Sequence, residues 1–265
     1  MIKTQDLEYL IKLSVLSPYI KGERPVSMLV AARVESGKTE ILKKAMLCNR
    51  VLALNDVTAY GIQKAYLKQI CEGEIKTIII PDLIVPLSKQ PETVETFISF
   101  INGLIEEGVS EVRTFAMMVK LPHPARCNLI TSIAKEHLDD RRHRWSKIGF
   151  LSRVIPVSYE YASSTVFDIV QSIALREYQE EKVFDLEIPD REIVIDLPVD
   201  IALKIASLAP QIIDAQKLYG FRLQKQLQTL CMANALFNGR DTCTVEDFER
   251  IKYLADYINL RYRPI

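Results

Sequence analysis

The chain reads as an α/β protein: a three-layer αβα domain built on a parallel sheet, followed by a small all-helical region. Three observations predict this. Met28 to Lys43, MLVAARVESGKTEILK, runs strand, loop, helix. Lys76 to Leu83, KTIIIPDL, sets four β-formers in a row before an acid, the pattern of a strand buried on both faces. After Tyr161 strand patterns become scarce and helical spacing dominates, so a boundary near residue 162 divides the chain into 1–162 and 163–265.

The loop between strand and helix carries chemistry. Gly37-Lys38-Thr39 closes it, as in the phosphate-loop pattern G-x-x-x-x-G-K-[ST], with Ala32 in place of the first glycine. Backbone N–H groups of such a loop point inward and cradle phosphate oxygens, helped by the positive end of the helix that follows. Glu35, Ser36, Gly37, Lys38, Thr39 and Glu40 are the expected cradle. Lys38 would reach the outer phosphates, and the Thr39 hydroxyl would take a place on Mg²⁺. Ala32 puts the loop geometry in question, because glycine tolerates backbone angles that alanine resists. Asp82, at the end of the second buried strand, is the expected carboxylate on the metal side. The position after it, where many hydrolysing folds of this type keep a Glu to polarise water, is Leu83.

The remaining elements follow from spacing and punctuation. Residues 5–20 repeat apolar positions at helical spacing (Leu7, Leu10, Ile11, Val15) until Pro18, and 21–25 form a turn. A helix from Thr39 to about Asn49 leads to a strand near 50–54, and a helix over 60–71 follows. Pro91 to Glu107 is amphipathic. Residues 111–120 alternate loosely as a strand that Leu121-Pro122-His123-Pro124 breaks, and 126–133 form another buried strand. Residues 134–147 are charged, and 154–157 form a short last strand. Beyond the boundary come a helix over 164–180 and two short β-like runs, 183–188 and 193–197. Helices over 199–208, 211–218, 221–237 and 245–260 complete the chain, with Thr244 and Asp247 as an N-cap pair.

Composition narrows the function. The 265 residues carry 34 basic and 34 acidic side chains, so no global field draws the protein to nucleic acid. No apolar stretch approaches membrane-span length, and MIKTQDLEYLIK lacks the form of a signal peptide. Five scattered cysteines without C-x-x-C spacing point to a reducing, cytoplasmic compartment. The three histidines form no ligand pattern, and no nucleophile elbow, triad or H-E-x-x-H occurs.

In this order, the landmarks resemble an AAA+ ATPase, closest in motif style to its MCM and MoxR branches. ARVESGKT resembles Walker A, IIIPDL resembles Walker B, and CNLITSI resembles the sensor-1 strand, which implies that Thr131 or Ser132 lies near the γ-phosphate. GFLSRVIPV is similar to the stretch carrying an arginine finger and nominates Arg153, with Arg141, Arg142 and Arg144 as rivals. GFRLQKQLQTLCMANALFNGR, followed by TCTVEDFERI, is similar to the sensor-2 helix of the lid domain and nominates Arg222. Val112 to Pro124 falls where the MCM branch has a hairpin. The resemblance implies a P-loop nucleotide-binding domain with a helical lid, binding ATP and Mg²⁺ at a subunit interface in a ring or filament of identical chains.

Three functions compete on this ground. One is an ATPase that translocates or remodels DNA, with Arg113, Lys120 and Arg126 of the hairpin on phosphates. Another is a MoxR-type chaperone that remodels a protein partner. The third is a nucleotide-gated assembly or loader protein with weak or no hydrolysis. Leu83 favours the third, since losing a carboxylate general base costs on the order of 10²–10⁴ in rate. Glu35 or Asp56 is the acid positioned to substitute.

Overall fold

The structure, a computed structural model, describes residues 4–114, 117–177, 183–213 and 220–265. Its main sheet has the strand order β2-β3-β6-β1-β7-β8, with every pairing parallel. The strands are β1 (Ser27–Ala32), β2 (Val51–Ala53), β3 (Thr77–Ile80), β6 (Asn128–Ala134), β7 (Val154–Glu160) and the two-residue β8 (Arg263–Pro264). A separate antiparallel pair, β4 (Val109–Thr114) and β5 (Met117–Ala125), forms a hairpin.

Alternation along β1 shows why the sheet sits between two layers. Met28, Val30 and Ala32 enter one apolar core, and Leu29 and Ala31 enter another. A strand with both faces in hydrocarbon reads as an unbroken apolar run, as SMLVAA does. The first core holds α1 (Gln5–Leu16) and α2 (Lys38–Met46). The second holds α3 (Ala59–Ala65), α4 (Leu67–Glu72), α6 (Pro91–Ile105) and α7 (Lys135–Lys147). A one-turn helix, α5 (Ile84–Leu87), follows β3.

The helical region is α8 (Ser163–Ala174), α9 (Val199–Ile213), α10 (Phe221–Phe237) and α11 (Val245–Leu254). It is not a free-standing lid. Ile205, Leu227, Leu230 and Ile251 share the first core with Leu10, Leu13 and Leu42. Each such side chain contributes roughly 1.5–3 kcal/mol on burial. The Tyr9 hydroxyl donates to Asn234 Oδ1 at 2.6 Å, and Arg250 reaches Asp6 at 3.0 Å, so polar contacts stitch α1 to the same helices. The tail also returns to the sheet: Ile265 N–H donates to the Glu160 carbonyl and Ala162 N–H to the Ile265 carbonyl. Thr244 and Asp247 form the expected capping box. The buried Asp247 also accepts from Asn234 and Arg240.

Several expected elements change. The helix expected over 60–71 is two helices, broken at Tyr66. Pro122 and Pro124 do not end a strand: β5 runs through both, which a two-stranded ribbon with an open edge tolerates. The β-like runs at 183–188 and 193–197 form no strand among the described residues. Their backbone makes only single bridges, Ile20 with Ile193 and Asp196 with Thr242. Pro210 lies inside α9, which is described to Ile213, instead of ending it. The helix expected over 164–180 is described to Ala174. Residues 178–182 and 214–219, which take in parts of the 164–180 and 211–218 expectations, lie outside the described residues.

Candidate phosphate-binding site

The chain leaves β1 towards β2 on one side of the sheet and reaches β7 on the other, so β1 is the topological switch point. In open α/β sheets the crevice at the carboxyl ends of the strands beside that point is where ligands bind. The loop 33–37 lies there. Its backbone takes the left-handed conformation at Glu35 (φ 62°) and Gly37 (φ 76°), and alternation of this kind turns successive N–H groups into a concave nest. Gly37 caps α2 with no side-chain hydrogen bond, leaving first-turn N–H groups without a side-chain acceptor at the mouth of the loop. Ala32 causes no strain. It is the last residue of β1, in register with Ala134, and none of the positive φ angles falls on it.

Two tyrosines hold the loop from behind. Tyr159 and Tyr161 both donate to the Ser36 carbonyl at 2.7 Å. Burial pushes the Tyr159 phenol up, so it keeps the proton it donates. A Cβ at Gly37 would stand 3.3 Å from the Tyr161 hydroxyl, so the glycine serves both its backbone angle and this close approach. Glu35 meets only the angle problem, and a left-handed non-glycine residue costs roughly 1 kcal/mol. Glu35→Gly is therefore expected to raise stability by about 0.5–1 kcal/mol, or about 1–4 °C in a thermal melt. A lower melting temperature would show that the Glu35 side chain contributes more than its backbone costs.

Lys38 spans the loop. Its ammonium donates to the carbonyls of Ala32 (3.2 Å) and Arg33 (2.6 Å) and to Ser36 Oγ (3.3 Å). Burial lowers its pKa, while the carboxylates of Asp82 and Glu136 act in the opposite direction. Asp82 is exposed just past β3, and its Oδ1 accepts from Ile84 N–H at 3.1 Å. Glu35 is exposed on the loop, Thr39 is exposed in the first turn of α2, and Glu40 pairs with Lys43 at 2.7 Å. Thr39 in the first turn of α2 and Asp82, whose charge acts on Lys38, are hard oxygen donors of the kind Mg²⁺ takes one or two of while filling its sphere with water and phosphate. Among the described residues no group of three His, Cys, Asp or Glu side chains is placed to hold a metal alone.

Thr131 and Ser132 lie on β6 between β1 and β3 but are buried, and both hydroxyls are spent on the neighbouring strand. Thr131 donates to the Ile80 carbonyl at 2.7 Å, and Ser132 to the Pro81 carbonyl at 2.5 Å. They lock the end of β3, and with it Asp82, to β6. Leu83 is fully buried in the second core. Of the two acids expected to compensate for it, Asp56 is paired with Lys89 at 2.7 Å, and Glu35 is an exposed loop residue. Glu136 is the acid that sequence reasoning missed. It lies two residues beyond Ala134, the register partner of Ala32, in the first turn of α7. Its signal was present: an acid just past the buried strand RCNLITSI, hidden within a charged run.

The arginines are elsewhere. Arg153 precedes β7 and Arg222 opens α10, and both meet Glu106 at the end of α6: Arg222 Nε at 2.9 Å and Arg153 Nε at 3.3 Å. Residues just before parallel strands lie at their amino edge, and a six-residue β1 separates that edge from the loop by about 20 Å. Neither arginine faces the loop 33–37 of its own chain. Of the rivals, Arg144 pairs with Glu95 and Arg141 donates to the His137 carbonyl at 3.2 Å.

The hairpin leaves the same amino edge. Arg113 pairs with Glu111, Arg126 donates to the Glu107 carbonyl at 2.8 Å, and Lys120 is exposed. Beside β5, a hollow of about 520 Å³ brings Cys71 Sγ within 3.4 Å of His123 Nδ1, but Cys71 also donates to the His123 carbonyl at 3.3 Å. Among the described residues no helix is long and apolar enough to cross a membrane. Comparison with protein-family models finds no match, and comparison with curated proteins finds no relative.

Proposed function

We propose that this chain binds ATP with Mg²⁺ on the loop 33–37 and that copies of it assemble through the bound nucleotide. The observation that carries this is the conjunction at one strand edge: an N–H nest ahead of α2, the Lys38 ammonium, and two carboxylates, Asp82 and Glu136, acting on it. Thr39 and Asp82 would hold Mg²⁺, which would supply positive charge to offset that of the phosphates. Lys38 would exchange the carbonyls of its own loop for phosphate oxygens, which are stronger acceptors. Glu136, unpaired in any described ion pair, is the base that would orient the attacking water in place of the missing Glu at Leu83.

Arg153 and Arg222, on the far edge, would stabilise charge on the phosphates of a neighbouring copy. Two of the three hairpin cations are engaged within the chain, which supports a protein partner or a nucleotide switch over a DNA motor. The test is phosphate release as a function of protein concentration, with and without DNA, beside Lys38→Ala and Arg153→Ala. Turnover rising with concentration, lost in both variants and unmoved by DNA is expected. Stimulation by DNA would restore the motor. A parent chain that binds no ATP would end the nucleotide proposal.

A further inference from the structure

The α8 helix turns its apolar face to water. At about 100° per residue, Val166, Val170 and Ile173 line one stripe, with Phe167 and Ala174 at its margin. Thr165, Ile169 and Ser172 face the protein. Thr165 is the one buried residue of α8, and its hydroxyl donates to the Ile265 carbonyl at 2.7 Å. The stripe itself is uncovered: Val166 is 46% exposed, Phe167 67%, and Val170 and Ile173 59% each. Leu175, just past the helix, is 59% exposed as well. An amphipathic helix on a folded domain ordinarily does the reverse. Nor does propensity alone sustain it. A helix of 12 residues is marginal in water, and five of these are β-branched (Thr165, Val166, Ile169, Val170 and Ile173). Such a helix draws its stability from packing, and the chain itself packs the less apolar side.

Charge and shape say what covers it. Helices that lie on lipid carry Lys and Arg opposite the apolar face, and α8 has neither. Its one charged residue, Asp168, lies on the side away from the stripe, so a partner meets no charge along the seam, as in the cores of protein interfaces. The stripe also complements itself. Two copies of α8 laid antiparallel about a two-fold axis at Val170 set Val170 on Val170, Phe167 on Ile173 and Val166 on Ala174. Both Asp168 side chains stay clear of that seam. The exposed parts of Val166, Phe167, Val170, Ile173 and Leu175 come to about 400–500 Å² per copy, as large as the patches that mark interaction sites on monomers. Two such faces bury about 800–1,000 Å² of apolar surface, which with a polar rim reaches the size of a specific interface.

We propose that α8 is a two-fold docking surface and that its partner is α8 of a second copy of the chain, the two helices pairing antiparallel along Val166, Val170 and Ile173. The pairing needs no nucleotide and does not rest on the ATP reading above. A two-fold contact closes on itself, so it joins two copies and no more.

Sedimentation equilibrium of the full chain, without nucleotide and across the micromolar range, tests it. A monomer–dimer equilibrium is expected. Val170→Glu sets two carboxylates on the axis and is expected to weaken the dimer by about a hundredfold or more. Asp168→Lys changes charge on the same helix away from the seam, and its dimer should hold within about twofold. Val170 is exposed, so the variant should fold like the parent monomer. If Val170→Glu does not fold, Val170→Ser takes its place, with a loss of about tenfold. A bifunctional thiol reagent then reads the geometry. In Val170→Cys it is expected to link position 170 of one copy to position 170 of the other, as peptide masses would show, and in Asp168→Cys to give no link between the two 168 positions. A parent that stays monomeric overturns the proposal. Binding of that monomer to vesicles of phosphatidylcholine and phosphatidylserine would give the stripe to lipid instead. A dimer that survives Val170→Glu, or one without the 170–170 link, places the contact elsewhere and overturns the pairing as well.

Discussion

Lys38→Ala is expected to weaken ATP binding by about a hundredfold or more, since each hydrogen bond to a charged group is worth roughly 1.5–3 kcal/mol and Lys38 would make several. The fold should survive. The ammonium bonds only to its own loop, and the Ser36 carbonyl stays anchored by Tyr159 and Tyr161. Titration with a fluorescent ATP analogue beside a circular-dichroism melt separates the two effects. Equal affinity in the variant and the parent would show that the loop is a strand-to-helix turn and nothing more.

Glu136→Gln is expected to leave ATP bound and to slow its hydrolysis on the order of 10²–10⁴-fold. Gln keeps the size of the side chain but accepts no proton. Binding should hold or tighten, because a carboxylate near the phosphates repels them. Asp56→Asn is the control. That acid is already neutralised by Lys89, and turnover should not move. Single-turnover measurements under saturating ATP read the chemical step. Parent-like turnover in Glu136→Gln would remove the residue from the chemistry while leaving the nucleotide site in place.

These two residues also mark where the sequence was legible and where it was not. Lys38 could be read directly, because strand, loop and helix are contiguous and each has its own local signal. The buried strands were legible for the same reason: unbroken runs such as SMLVAA and TIII have few alternatives once flanking turns are seen. Glu136 was not legible. Its position depends on β6 inserting between β1 and β3, and nothing local states which strands are neighbours. Glu106 was hidden likewise, since it gains meaning only when Arg153 and Arg222 converge on it. Tyr159 and Tyr161 lie beyond the strand expected over 154–157, and nothing local ties their hydroxyls to the loop they hold. The errors in the second half share one origin. In 183–197 apolar residues alternate as in a strand, but they cover the first core as extended chain with no partner strand. Pro210 breaks helices on average, yet packing of α9 on α10 overrides that tendency here.

The apolar core common to α1, α2 and the last three helices makes severing the chain costly. A fragment ending at residue 162 would turn Leu10, Leu13 and Leu42 towards water, and the remainder would expose Leu227, Leu230 and Ile251 in the same way. Neither piece should be soluble alone, and calorimetry of the whole should show one endotherm and not two. A single melting unit also has a mechanical meaning. The α2 helix begins at the loop 33–37 and lies along this core, so any pull on its first turn is borne by the entire helical half at once.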